Sequence, residues 1–126
     1  MRDKLKRLLN NAYAPYSNFK VAAIIETNDN KIIPGVNVEN ASYGATICAE
    51  RNAITTAISM GYKKGDFKSI SIMVSGDKLS TPCFICRQLI IEFFSLDAKV
   101  YLYNATDVKE YSVSELCPYP FTENDL

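Results

Sequence analysis

Thr81-Pro82-Cys83-Phe84-Ile85-Cys86 sets two thiols three residues apart, and Cys48-Ala49-Glu50-Arg51 sets a third thiol two residues before a carboxylate. Positions i and i+3 of a helix share a face, so Cys83 and Cys86 can grip one metal ion together. With Cys48 likewise opening a helix, two helix N-termini aim partial positive charge at the same three sulfurs and favour their thiolate forms. Three cysteine ligands suit zinc and leave the fourth tetrahedral corner for water, the pattern of a catalytic rather than a structural centre. Glu50 points differently from Cys48 around the same helix start, so it can face the open corner without being a ligand, and it is the expected proton carrier. Three thiolates outweigh the charge of the ion; Arg51 can donate to thiolate sulfur and offset the excess. The chain has no histidine, which excludes Ser-His triads, His-Glu-x-x-His metal sites and any imidazole base.

Such a site needs two helix starts held side by side. From Cys48 to Met60 the residues Ala49, Ala53, Ile54, Ala57 and Ile58 form one apolar helical stripe, with Gly61 placed as the terminator. Ser69 to Ser75 reads as a strand, Cys83 to Phe94 as a second buried helix and Ala98 to Tyr103 as another strand, a β-α-β unit with parallel pairing. Leu5, Leu8, Leu9 and Ala12 predict an opening amphipathic helix that ends near Ala14-Pro15. Phe19 to Thr27 and Lys31 to Val38 read as a hairpin around Asn28-Asp29-Asn30, with Pro34 marking an edge or bulge. A last strand from Val108 to Val113 and a helical turn from Ser114 to Cys117 precede the tail. The sum is an α/β domain, residues 1–126, with a mixed sheet carrying helices on its faces.

Composition agrees with one folded domain: 126 residues, 48% apolar and 22% charged. Fourteen basic residues balance fourteen acidic ones, so the field that long nucleic acid or an anionic membrane would favour is missing and a small substrate is expected. The longest unbroken apolar run, Val21 to Ile25, is five residues against the ~20 of a membrane helix, and the charged start does not suit a signal peptide. A cytoplasmic address follows as an expectation, and there cysteines ligate metal or do chemistry more often than they form disulfides.

Cys-x-Glu followed by Pro-Cys-x-x-Cys resembles the zinc deaminase signature in its three-cysteine form. The whole chain is similar to the small homotetrameric cytidine deaminases through five ordered blocks: Tyr16-Ser17-x-Phe19-x-Val21-x-Ala23, Asn37 to Gly44, Cys48 to Arg51, Pro82-Cys83-x-x-Cys86-Arg87-Gln88, and Glu115-Leu116-x-Pro118-x-x-Phe121. The resemblance implies a three-layer α/β/α sandwich with a mixed five-stranded sheet. It implies one zinc per chain on Cys48, Cys83 and Cys86, and hydrolytic deamination of cytidine and 2'-deoxycytidine in pyrimidine salvage. Glu50 would take the water proton and pass it to N3 and the leaving amine. Asn37 and Glu39, expected on one face of one strand, would bind the ribose hydroxyls. Phe19 would pack near the pyrimidine, and the Ala49 backbone would donate to the carbonyl at C2. A backbone carbonyl near Thr81 or Pro82 would hold the exocyclic amine. Tyr43 and Phe121 match positions that complete a neighbouring subunit's site, so a homotetramer with shared pockets is implied.

Other readings stay open on the residues alone. A deaminase acting on another cytosine-bearing compound, such as blasticidin S, would share the zinc motif. A non-catalytic zinc module would result if Cys117 closed a four-sulfur site, although Cys117, where the family has leucine, also suits a small apolar filler. Phe19, Tyr43 and Phe121 are also ordinary core or interface types, and Arg87 reads as a surface or ion-pair residue. Ala22 and Phe84 stand where the family has glycine; the Phe84 ring, between two ligands, is expected to narrow the pocket or crowd a subunit contact.

Overall fold

The computed structural model describes residues 1–126. Its elements in chain order are helix α1 (Arg2–Leu9), strands β1 (Val21–Thr27) and β2 (Ile32–Val36), helix α2 (Ala49–Ser59), strand β3 (Phe67–Val74), helix α3 (Phe84–Phe93), strands β4 (Lys99–Tyr103) and β5 (Val108–Ser112) and a single turn of helix α4 (Val113–Leu116). The five strands form one sheet in the order β2-β1-β3-β4-β5. Only β3 and β4 run parallel, with α3 as their crossover; β1 pairs antiparallel with β2 and β3, and β5 antiparallel with β4. Pro34 pairs with Ile24 on β2, an edge strand, where a residue without an N–H is tolerated.

Strand alternation sorts the core into two layers. Ala22 and Ile24 of β1 face Leu5 of α1, with Met73 of β3 beside them. Ala23 and Ile25 point to the other side, where Ala49, Ala53, Ile54 and Ala57 of α2 and Ile90 of α3 bury them with Ile70, Ile72, Val100 and Leu102. The result is the expected three-layer α/β/α arrangement. Ala22, in place of glycine, is one of the methyls under α1. No helix is long and apolar enough to cross a membrane.

Two features bring the start of α2 close to the sheet and stop it cleanly. Its small buried stripe lets it lie against β2 at Gly35, where an added Cβ would come within 2.5 Å of the Ala49 carbonyl oxygen and the Ala53 nitrogen. At its end, Gly61 adopts φ +100°, and the Tyr62 and Gly61 N–H groups donate to the Ala57 and Ile58 carbonyls, a Schellman cap.

The first helix is shorter than its periodicity predicts, ending at Leu9. Asn10-Asn11 favours caps and turns over helix, and i+3 bonds tighten the chain there. Tyr13 is then taken by Asn37 and Glu39: its N–H donates to the Asn37 carbonyl at 3.0 Å and its carbonyl accepts from Glu39 at 2.8 Å. The same pairing corrects the expectation that Asn37 and Glu39 share a strand. β2 stops at Val36, and Val38 leaves the sheet to bridge Tyr13 on one side and Ile47 on the other.

Candidate active site

Cys48 and Cys83 are the N-cap residues of α2 and α3, both with extended backbone, and Cys86 lies in the first turn of α3. Neither cap residue's side chain takes up a capping hydrogen bond at its helix start, so both thiols are free to join the cluster. The Cys83 sulfur lies 3.5 Å from that of Cys86 and 3.9 Å from that of Cys48, and all three lie within 4.8 Å of one another. Tetrahedral zinc with ~2.3 Å sulfur bonds requires sulfurs about 3.8 Å apart. The cluster therefore fits one zinc ion held by three ligands. Cys117 is elsewhere: it is buried in the main core, its Sγ 3.7 Å from the Arg87 carbonyl oxygen, and is no member of the sulfur cluster. It is the apolar filler, and a closed four-sulfur site is not formed.

Charge around the sulfurs is unevenly distributed. Hydrogen bonding from the Cys86 thiol, then from Arg51 and Cys83, draws the Cys48 pKa down to about 5 against the opposing effect of burial. Cys86, on the other side of that bond, is pushed up, with burial and the Glu50 charge adding to the effect. Arg51 donates from one nitrogen to the Thr46 carbonyl at 3.0 Å and reaches the Cys48 sulfur at 3.8 Å. Its Nε is buried without a partner. Arg51 thus lies against the cluster as a positive group held by backbone, the expected offset to surplus thiolate charge.

Glu50 is 5% exposed. Burial, reinforced by the Cys48 charge, raises its pKa, while its own backbone N–H, Cys86 and Arg51 oppose the rise. It lines a cavity of about 240 Å³ together with Cys48, Cys83, Ala49, Phe19 and Asn37, with Thr81 and Pro82 on the rim. That is room for a small ring system, at the low end for ligand sites. The Phe19 ring lies where a Cβ added at Gly76 would meet it at 3.4 Å, and Asn18 before it turns the chain with φ 59°. Asn37 is held from both ends of its amide: Oδ1 accepts from Val21 at 2.9 Å and Nδ2 donates to the Phe19 carbonyl at 2.8 Å.

Glu39 lines an adjoining hollow with Tyr16, Ser17 and Tyr43, and Thr46 borders both spaces. Its carboxylate accepts from the Tyr16 and Ser17 N–H groups at 2.9 and 3.1 Å and from the Ser17 hydroxyl, which together hold its pKa low. Tyr43, 75% exposed, meets Tyr16 edge-on at 6.1 Å, and Phe121 is 56% exposed. Neither ring lines the Glu50 cavity. The Phe84 ring does not narrow that cavity either: it faces the tail segment around Pro118 to Phe121.

Two positions that the spacing of motifs did not bring out shape this site. Gly35 lets α2 press on β2, and the Pro34-Gly35 pair inside a strand was the available signal. Arg87 donates to the Pro82 carbonyl on the cavity rim at 2.7 Å, a long-side-chain contact that no local pattern announces.

The family model described as the cytidine and deoxycytidylate deaminase zinc-binding region matches residues 1–103. A cytidine deaminase from Halalkalibacterium halodurans is 44% identical over 116 residues, covering 91% of this chain and 86% of the relative. The crystal structure of cytidine deaminase from Burkholderia pseudomallei superposes with a TM-score of 0.90 at 43% identity, covering 94% of each chain. That of cytidine deaminase from Mycobacterium tuberculosis gives 0.82 at 27% identity over 97% of this chain and 94% of the other.

Proposed function

The chain belongs to the cytidine and deoxycytidylate deaminase zinc-binding family, and from that premise we propose that it hydrolyses cytidine and 2'-deoxycytidine to uridine and 2'-deoxyuridine plus ammonia, in pyrimidine salvage. The observation that carries this reading is a cluster of three zinc-competent sulfurs, two of which, those of Cys48 and Cys83, line one small cavity with the buried carboxyl of Glu50.

Cys48, Cys83 and Cys86 would hold the zinc, which would supply a water acidic enough to act as a nucleophile near neutral pH. Glu50 accepts one proton of the attacking water and delivers it to N3 of the pyrimidine; it then takes the second from the hydroxyl added at C4 and passes it to the amine, which leaves as ammonia while the C4 carbonyl forms. Arg51 stabilises the thiolate-rich cluster. Phe19 packs against the base, and the first-turn N–H of Ala49, which has no acceptor within its own helix, donates to the carbonyl at C2. Asn37 keeps one N–H and Glu39 one lone pair beyond their bonds to their own chain, and these serve the ribose hydroxyls. Pro82 already accepts from Arg87, so Thr81, whose carbonyl no donor of the chain reaches, is the better acceptor for the exocyclic amine. Tyr43 and Phe121, exposed on one chain, complete the sites of neighbours in a homotetramer. The balanced charge suits action on a free nucleoside rather than on long nucleic acid, in line with the expected cytoplasmic address.

The test is a comparison of initial rates on cytidine, 2'-deoxycytidine, free cytosine and blasticidin S with zinc-loaded protein. The two nucleosides are the expected best substrates, and cytidine as the poorest of the four overturns the assignment. Light scattering should give four times the 14.1 kDa chain mass; a monomer active at nanomolar concentration contradicts the shared pocket.

A further inference from the structure

The strand-to-helix connection that ends in Cys83 is thinly held. From Lys78 to Pro82 one hydrogen bond ties the segment to the rest of the chain, and it comes from Arg87 Nε to the Pro82 carbonyl at 2.7 Å. Its last three residues, Ser80, Thr81 and Pro82, nonetheless line the Glu50 cavity and lead into Cys83 of the sulfur cluster. The same guanidinium donates through Nη1 to the Leu116 carbonyl at 2.8 Å, so it spans from the cavity rim to the end of α4. Beneath it lies the Phe84 ring, 4.5 Å from the guanidinium carbon. Phe84 is 77% exposed, too open to serve as core, and its contact with Arg87 gives this outward ring a purpose.

We propose that Arg87, steadied by Phe84, is a positioning residue: it fixes the Pro82–Cys83 peptide, and through it sets where the Cys83 thiol meets the metal and where the rim meets the substrate. A guanidinium suits the task because its planar fork can serve two fixed carbonyls at once, whereas a lysine ammonium keeps charge but not the fork. The inference rests on the deaminase reading. Turnover of cytidine by the unaltered protein secures that reading first, so an inert substitution at Arg87 counts against this residue alone.

The experiment uses the zinc-loaded full chain and three variants, Arg87→Gln, Arg87→Lys and Phe84→Leu. It reads zinc transfer to a coloured chelator, the thiolate-to-cobalt charge-transfer band after cobalt loading, and kcat and KM on cytidine. Groups that orient metal ligands typically change affinity or activity by about 10–100-fold, and Arg87→Gln should release zinc faster and lower kcat in that range, with a shifted cobalt band. Arg87→Lys should fall between. Phe84→Leu keeps every hydrogen bond and should quicken release by about two- to fivefold. A merely structural role lowers the melting temperature without moving the cobalt band. A folded Arg87→Gln protein with unaltered release and band overturns the proposal. Should that variant fail to fold, Phe84→Leu decides, and wild-type release with an unshifted band refutes it.

Discussion

The sulfur end of the Glu50 cavity and the ground beyond its other end are built differently. At the sulfur end, Cys48, Glu50, Cys83 and Cys86 sit on the first turns of two buried helices, and α2 is pressed against the sheet by Gly35. Beyond the other end, where Asn37 lines the cavity and Glu39 an adjoining hollow, both residues leave the sheet and are held by bonds to the Tyr13–Val21 stretch, while Tyr43 and Phe121 lie exposed outside the cavity. The chemistry is thus carried by local helix geometry that one chain completes. On the proposed function, the substrate grip would be carried by loops and exposed rings, a surface that a second chain would complete. Changes at the first end should act on kcat or on folding of the chain itself, and changes at the second on KM and assembly.

The sharpest way to test that division is Glu50→Gln. It should lower kcat by about 10²–10⁴-fold while zinc analysis still finds one ion per chain and the assembly is unchanged. Loss of the zinc instead would make Glu50 part of the metal's support and blur the two ends. Next in size, Gly35→Ala forces the β2 and α2 backbones apart at a 2.5 Å approach. Overpacking of this kind costs about 1–3 kcal/mol, to be seen as a lower melting temperature, and an unshifted melt would mean that α2 is not pinned there.

Tyr43→Ala and Phe121→Ala should each raise KM for cytidine about tenfold, the scale of a lost base-to-ring or subunit contact, with zinc content intact. Mixing Phe121→Ala chains with Glu50→Gln chains should recover turnover beyond either alone if pockets are shared; a simple average of the two would break the comparison. Smallest of all, Cys117→Ser should leave zinc and kcat untouched and lower stability by about 1 kcal/mol, since a buried hydroxyl replaces a thiol next to the Arg87 carbonyl. Zinc loss in that variant would contradict the three-sulfur centre.

The same division governs what the sequence made legible. The apolar stripe of α2, the spacing of Cys83 and Cys86 and the β-α-β order are short-range patterns, and the helices, the parallel β3–β4 pair and the sulfur cluster follow them to within a few residues. Pro34 likewise marks the edge strand. Asn37 and Glu39 were misplaced on one strand because Val38 pairs with Tyr13 and Ile47, partners whose pairing no two-residue period encodes. The overlong first helix has a similar origin: Ala12 is buried, as its helical spacing from Leu5, Leu8 and Leu9 requires, but past Asn10-Asn11 and outside the helix, which ends at Leu9. Arg87 and Gly35 act across the fold, on Leu116 and Ala53, and become visible only once distant segments meet.

The most direct measurement follows cytidine by ultraviolet absorbance with purified protein as isolated, after zinc removal by a chelator, and after zinc is restored, with metal content measured at each stage. Three sulfurs and one carboxyl acting on a metal-bound water require turnover at one zinc per chain, its loss on removal and its return on reloading. Fully metallated protein that leaves cytidine unchanged would contradict the account, as would undiminished turnover by protein freed of metal.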